Sequence, residues 1–133
     1  MIGDSISTAI FQKALDGTWA RQQAISNNIA NSETPRYKAL EVDFETSLNN
    51  ALNKISSGTN NQNKSNQTAV QTILDSDITT ESYDLTSNQL DQNNVDLDSE
   101  NIDMAKTVTQ YYYLVSGINS SFSRIKYALS EGK

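Results

Sequence analysis

The clearest hydrophobic pattern in the chain lies near its C-terminal end. Apolar residues there follow an unbroken alternation of four-residue and three-residue steps: Met104, Val108, Tyr111, Val115, Ile118, Phe122, Ile125 and Leu129. This alternation is typical of a coiled-coil seam, so it predicts a helix from Asp98 to about Ser130. A single helix cannot bury such a stripe against itself, and the seam therefore predicts a partner helix.

Residues at the start and in the middle of this predicted helix support it. Asp96, Asp98 and Glu100 place negative charge where the helix dipole favours it. Asp98 or Ser99 can cap the free amides of the first turn. Gly117 costs on the order of 1 kcal/mol relative to alanine inside a helix, which predicts a close contact with another helix at that point.

An interrupted apolar stripe predicts a second helix over residues 4–31. Its apolar positions follow the same alternation: Phe11, Leu15, Ile25 and Ile29. Thr18 and Gln22 occupy the two positions between them. Four more apolar residues lie beside the stripe and widen it: Ile2, Ile6, Ile10 and Trp19. A face of this width favours a helix held by more than one neighbour.

The pattern changes after the first helix. Pro35 is the only proline, and its ring pushes Thr34 out of helical geometry, so the helix is expected to end there. Leu40, Val42 and Phe44 then alternate with charged residues, as in a short half-exposed strand.

The rest of the middle is polar. Residues 49–67 are rich in Asn, Ser and Gln and predict a flexible surface loop. The later segments AVQTIL and ESYDL can each form a short strand or an extended arm. The predicted fold is mainly α, with long N- and C-terminal helices packed as an antiparallel coiled-coil-like pair around a small irregular or β middle. One structural unit then has three segments: residues 1–32, 33–97 and 98–133.

Composition removes most classes of chemistry. The chain carries a net charge of -6 with scattered basic residues, so we expect no binding to nucleic acid. It contains no cysteine and no histidine, which excludes a disulfide framework, a thiolate metal site and the commonest general base. The sequence has no apolar run long enough for a transmembrane helix, and we expect no cleaved signal peptide.

Carboxylates leave two alternatives. Asp91, Asp96, Asp98 and Glu100 invite a calcium site, but the EF-hand spacing puts Val95 at a ligand position. A glycan hydrolase needs a desolvated carboxylate pair, and the sequence shows no evident compact core to form such a pocket. We therefore expect no metal, no cofactor, no small-molecule substrate and no enzymatic activity.

Tyr111, Tyr112 and Tyr113 form an aromatic block that could stack on bases or sugars. On a helix the three side chains point in different directions, and Tyr111 belongs to the seam. The hypothesis we favour is that Tyr112 and Tyr113 contact adjacent chains.

The most specific segment runs from Ser26 to Lys38 and carries three asparagines within five positions: Asn27, Asn28 and Asn31. Asparagine is a poor helix-interior residue because its short amide competes for nearby backbone groups. Two explanations remain open. Either the helix end frays with asparagine as a cap, or the amides form defined hydrogen bonds with the backbone of a packed neighbour.

The segment SNNIANSETPRYKALEVDF resembles the N-terminal signature of the flagellar axial proteins, and YKALEVDFE and DQNNVDLDSENIDMAK are similar to the proximal rod members of that group. The motif residues are Asn27, Asn28, Asn31, Thr34, Pro35, Tyr37, Asn93, Asn94, Asp96, Asp98 and Glu100. Arg36 and Gln92 stand where the family often has glycine, so a different backbone path is expected in both loops.

The resemblance implies a structural subunit of the bacterial flagellar basal body, in the proximal rod that transmits torque. The implied partners are copies of the chain, other rod proteins, the rod-base adaptor protein and export-gate proteins. The implied route is the flagellar type III apparatus without signal cleavage. The alternative is a soluble coiled-coil adaptor or flagellar secretion chaperone that does not polymerise.

Overall fold

The computed structural model describes residues 2–57, 66–82 and 92–130. Its elements in chain order are α1 (Ile2–Ala30), β1 (Leu40–Val42), α2 (Phe44–Ser57), α3 (Asn66–Leu74), β2 (Thr80–Ser82) and α4 (Leu97–Ser130). The predicted mainly α fold, with long terminal helices and a small β element in the middle, is confirmed.

The two long helices run antiparallel. Near one end of the pair, Phe11 of α1 lies against Gly117 of α4. Near the other end, Asn28 donates a hydrogen bond to Glu100 at 2.9 Å. Residue numbers therefore increase along α1 in the direction in which they decrease along α4.

Two glycines allow aromatic rings to approach the long helices. A Cβ atom on Gly117 would lie 2.6 Å from Cε1 of Phe11, so the predicted close contact at this residue is confirmed. A Cβ atom on Gly17 would lie 2.2 Å from Cγ of Phe44, well inside van der Waals contact. The sequence pattern gave no expectation for Gly17.

The middle of the chain packs on α1. Strands β1 and β2 form an antiparallel two-stranded sheet in which Leu40 pairs with Ser82 and Val42 with Thr80. The core cluster joins α1 to this layer and consists of Ala14, Ala24, Val42 and Phe44. Since α1 also contacts α2, α3 and α4, the expectation that it has more than one neighbour is confirmed.

The prediction for the strand and the following loop needs correction. The strand ends at Val42, and Phe44 is the first residue of α2. Asp43 caps this helix, because its Oδ1 accepts a hydrogen bond from the Thr46 amide at 3.1 Å. A flexible loop is wrong for residues 49–57 and 66–67, which are helical; residues 58–65 lie outside the described part of the chain.

Helix α3 contradicts the strand or arm predicted for AVQTIL. Ile73 is fully buried. The apolar residues of this segment, at positions 69, 70, 73 and 74, do recur at helical spacing, but a six-residue segment is too short to tell a helix from a strand by its periodicity. The segment ESYDL enters β2 only through its first two residues, and residues 83–85 lie outside the described ranges.

The start of α4 also differs from the prediction. Asp96 is the capping residue, since its Oδ1 accepts hydrogen bonds from the amides of Asp98 at 3.0 Å and Ser99 at 3.3 Å. A cap at Asp98 or Ser99 is therefore wrong. The carboxylate that precedes the first helical residue, Leu97, is the one placed to reach these amides.

Candidate subunit interface

Asn28 lies where α1, β1 and α4 meet. Its amide nitrogen donates hydrogen bonds to the Leu40 carbonyl and to Glu100 Oε1, both at 2.9 Å. Its Oδ1 accepts from the Leu40 amide at 2.8 Å and from the Tyr37 hydroxyl at 3.2 Å. The side chain is 1% exposed. Defined hydrogen bonds to a packed neighbour, one of the two open explanations, therefore hold for this asparagine.

Asn93 binds the end of α1 from the second motif segment. Its Nδ2 lies 2.9 Å from each of three backbone carbonyl oxygens, those of Asn31, Ser32 and Thr34. Its Oδ1 accepts the Val95 amide at 2.8 Å. The side chain is fully buried, so a group with this many polar contacts is held without competition from water.

Asn94 completes the connection by accepting a hydrogen bond from the Ala39 amide at 2.7 Å. The two motif segments, which lie about sixty positions apart in the sequence, thus meet in a single cluster of hydrogen-bonded side chains. We call it the motif junction and define it as Asn28, Tyr37, Asn93, Asn94 and Glu100. Sequence reasoning found all five residues but did not predict that they meet.

Other motif residues act locally or face outward. Asn31 donates to the carbonyl of Asn27 at 2.8 Å and accepts from the Thr34 hydroxyl at 3.2 Å. These local contacts fit the other open explanation, in which asparagine acts as a cap at the helix end. Pro35 and Asp98 are exposed.

The backbone at Arg36 and Gln92 takes the left-handed conformation, with φ of 62° and 64°. This region favours glycine, because an L side chain there crowds its own backbone. Both positions thus have a backbone conformation that glycine adopts readily, and a different backbone path in the two loops stays a prediction. Both turns lie beside the motif junction.

Burial gives the motif junction an unusual electrostatic balance. Burial raises the pKa of the Glu100 carboxyl; the hydrogen bond from Asn28 lowers it, and the charges of Asp103, Asp96 and Glu41 raise it further. The pKa of Tyr37 is raised by burial and by Glu100. The junction thus holds a carboxylate that would bind a proton more readily than in water.

Arg21 forms a second polar connection, which the sequence did not reveal. It donates to the Val42 carbonyl at 2.9 Å, pairs with Glu45, and lies 4.7 Å from the centre of the Phe44 ring. Although burial acts to raise the pKa of Glu45, the hydrogen bond and charge of Arg21 outweigh it and lower that pKa. An arginine inside an otherwise uncharged stretch of α1 was the available signal.

The C-terminal seam lies on a flank of α4. Thr107 is buried, Leu114 packs against the core, and Gly117 lies against α1. Val108 and Val115 each follow one of these positions and are rotated by about 100° around the helix. A single chain therefore covers the seam only partly.

Burial differs along the two predicted stripes. Three seam side chains are 41%, 52% and 61% exposed: Tyr111, Phe122 and Leu129. The other five are half-buried: Met104, Val108, Val115, Ile118 and Ile125. In α1, Ile25 is buried, and three stripe residues are half-buried: Phe11, Leu15 and Ile29. Their role in contacts between subunits stays a prediction.

The middle of α4 lacks charge although much of it is exposed. From Thr107 to Ser123 there is no Asp, Glu, Lys or Arg. Tyr112 and Tyr113 are among the most exposed side chains of this stretch, which we call the charge-free band. Depletion of charge together with exposed tyrosine is characteristic of the central part of protein interfaces.

A cleft of about 520 Å³ lies beside the motif junction and includes Arg21, Glu100, Asp103 and Lys106 in its lining. Within residues 2–57, 66–82 and 92–130, no group of three or more acidic side chains is placed to hold a metal. In the same ranges no helix has the length and apolarity to cross a membrane.

Comparisons with known proteins match the N-terminal part of this arrangement. A family model described as "Flagella basal body rod protein" matches residues 12–38, which include Arg21, Asn28 and Tyr37. A curated relative, "Flagellar basal body rod protein FlgB" of Buchnera aphidicola subsp. Acyrthosiphon pisum (strain APS), is 44% identical over 43 residues. That alignment covers 32% of the chain and 32% of the relative. Both matches support the resemblance to flagellar basal body rod proteins.

Proposed function

We propose that this chain, which is similar to flagellar basal body rod proteins, is a structural subunit of the proximal rod and assembles through its terminal helices. The observation that carries the proposal is the charge-free band of α4, where Tyr111, Tyr112, Tyr113 and Phe122 stay exposed in the single chain. A large aromatic surface without charge is costly in water and is stabilised when another protein covers it.

The division of the chain into two kinds of surface supports assembly. The motif junction and Arg21 hold α1, β1, α2 and α4 as one body. The seam on α4 then presents Val115, Ile118, Phe122 and Ile125 along one flank for contacts between copies. Contacts of this kind, repeated with a rotation and a rise that does not close, build a helical tube.

The asparagines have a refined role in this proposal. Asn28 fixes the register of α1 against α4 from inside the chain, and Asn31 fixes the end of α1. Asn27 is exposed and is the one of the three that is placed to contact a neighbouring subunit directly. We further propose no catalytic activity for this chain.

The finer parts of the proposal rest on the resemblance. The partners are copies of the chain, other rod proteins, the rod-base adaptor protein and export-gate proteins. The chain leaves the cytoplasm through the flagellar type III apparatus without cleavage, and its mechanical role is to pass motor torque to the shaft.

A pair of variants tests the proposal in the source organism. Phe122→Asp places a charge on the seam and is expected to abolish swimming and recovery of the chain with hook-basal bodies, while export of the chain continues. Asn50→Asp adds the same charge on the exposed side of α2 and is expected to leave both unchanged. Normal swimming with Phe122→Asp would contradict the assembly role. Confinement of the wild-type chain to the cytoplasm would instead favour the chaperone alternative.

A further inference from the structure

The cleft beside the motif junction opens between three elements of the chain. Arg21 and Ile25 line it from α1, Leu40 and Glu41 from β1, and Glu100 from α4. We call it the junction cleft. Its volume of about 520 Å³ is many times the share of one water molecule in the liquid, which is about 30 Å³. The junction cleft is therefore large enough to admit a side chain from another molecule.

The two cations that line the junction cleft are already paired with other groups. The guanidinium of Arg21 binds the carboxylate of Glu45 and the carbonyl oxygen of Val42. The ammonium of Lys106 lies 2.9 Å from the carboxylate of Asp103. Neither cation is left to balance the remaining carboxylates of the lining.

Two carboxylates of the junction cleft lack a cation. In the part of the chain that the structure describes, Glu41 and Glu100 form no ion pair. Glu100 accepts a hydrogen bond only from the neutral amide of Asn28, and burial, with the nearby charge of Glu41 added, raises its pKa. Across the sheet Glu41 pairs with Glu81, and like charges directly opposite one another are unfavourable. A cation from another molecule would therefore stabilise this region.

Arg36 is a cation in the opposite situation. It is exposed, as are all the residues of the turn 33–36, and it forms no hydrogen bond or ion pair with the described residues. The turn itself is held in place, because Asn93 donates a hydrogen bond to the Thr34 carbonyl at 2.9 Å. The backbone of Arg36 is left-handed, with φ of 62°. One chain thus contains both members of an ion pair that it does not form by itself.

We propose that Arg36 of one copy enters the junction cleft of a second copy and pairs there with Glu41 and Glu100. The planar guanidinium suits this place, because it binds carboxylates through two N–H donors at once. The occupant is a second copy because the exposed arginine of the chain supplies the charge that the junction cleft lacks. Turn and cleft are different surfaces, so the contact is heterologous and can repeat along a helical assembly. This inference rests on the proposed assembly function and adds one contact between copies to it.

Arg36→Gly separates the contact between copies from the fold of one copy. It removes the guanidinium and relieves the left-handed backbone, so the purified chain should be at least as stable as the wild type in urea denaturation. The amount of chain recovered with hook-basal bodies from complemented cells should nevertheless fall severalfold. Lys54→Gln removes a positive charge from an exposed position of α2 and should leave recovery unchanged. Wild-type recovery of Arg36→Gly would overturn the inference while leaving the rod assignment intact.

Charge reversal tests the identity of the partner group. Arg36→Glu and Glu41→Arg should each lower recovery with hook-basal bodies severalfold, because each places like charges in the contact. A chain that carries both changes should regain most of the recovery and of the swimming, since the ion pair forms again with its charges exchanged. A double variant as defective as the single variants would overturn the pairing of these two residues.

Cross-linking in assembled basal bodies tests the geometry, because the chain contains no cysteine of its own. Cells make one chain with Glu33→Cys in the turn and a tagged chain with Ser99→Cys in the lining of the junction cleft. A short bismaleimide should give covalent dimers that contain one of each. Asn50→Cys on α2, used in place of Ser99→Cys, should give none. Absence of the dimers from basal bodies that contain both chains would overturn the inference alone. Absence of the wild-type chain from basal bodies would contradict the proposed function and the inference together.

Discussion

The motif junction and the charge-free band differ in which kind of side chain is buried and which is exposed. In the junction, polar groups are buried, and Asn28 and Asn93 find their hydrogen-bond partners within the chain. In the band, aromatic groups are exposed and find little to cover them within the chain. The comparison suggests that the junction serves the fold of one subunit, whereas the band needs neighbouring subunits.

The largest effect on stability is expected from breaking the motif junction. Asn28→Ala removes four hydrogen bonds and leaves the Leu40 backbone and Glu100 without these partners. We expect a loss of about 3 kcal/mol in the free energy of unfolding, measured by urea denaturation. Asn27→Ala, at an exposed neighbouring position, should change it by less than about 0.5 kcal/mol. Equal effects of the two changes would contradict the role of the junction.

Replacing each of the two glycines with alanine should have different effects on stability, because the added methyl group meets different parts of an aromatic ring. At Gly17 a Cβ atom meets the inner atoms of the Phe44 ring, which lies in the core, so Gly17→Ala should destabilise the chain by about 2 kcal/mol. At Gly117 it meets the outer edge of the half-buried Phe11 ring. The better helix propensity of alanine, about 1 kcal/mol, should then offset much of the strain. Thermal unfolding that ranks Gly117→Ala as the more damaging change would contradict this.

Glycine substitutions at the two left-handed turns should increase the free energy of unfolding, by less than the preceding changes lower it. Arg36→Gly and Gln92→Gly relieve a backbone conformation that costs roughly 1–2 kcal/mol for an L residue, against a cost of about 0.5–1 kcal/mol for ordering glycine. Each change should therefore stabilise the chain by up to about 1 kcal/mol in urea denaturation. Lys38→Gly lies outside these turns and should not stabilise it.

The smallest effect concerns pH. The folded chain raises the pKa of the Glu100 carboxyl. The stability that this group contributes is therefore fully present below its pKa in the unfolded chain, and it is lost as pH rises through its pKa in the folded chain. Glu100→Gln keeps an oxygen that can accept from Asn28 and should raise the melting temperature at pH 7. The gain should disappear near pH 4. Glu33→Gln, at an exposed position in the turn after α1, is the control. A gain that persists unchanged at pH 4 would contradict the burial argument.

The long helices were predictable because their apolar periodicity extends over many turns. Helix α2 was missed although Phe44, Leu48, Ala51 and Ile55 recur at helical spacing, because the Asn and Ser residues between them are typical of loops. Asn28 was recognisable as unusual, since the chain accepts a poor helix former there. The hydrogen-bond partners of Asn28 could not be predicted, because Leu40 contributes backbone atoms and Glu100 lies far along the chain. Periodicity also predicted the extent of α4 without showing which flank of this helix meets α1.

Hydroxyl-radical footprinting of the free chain and of the chain within hook-basal bodies tests the contrast between the two regions most directly. Tyr112, Tyr113 and Phe122 should react strongly in the free chain and become protected in the basal body. Tyr37, which donates to Asn28 in the junction, should react weakly in both. Equal reactivity of the band residues in the two states would contradict the claim that neighbouring subunits cover them.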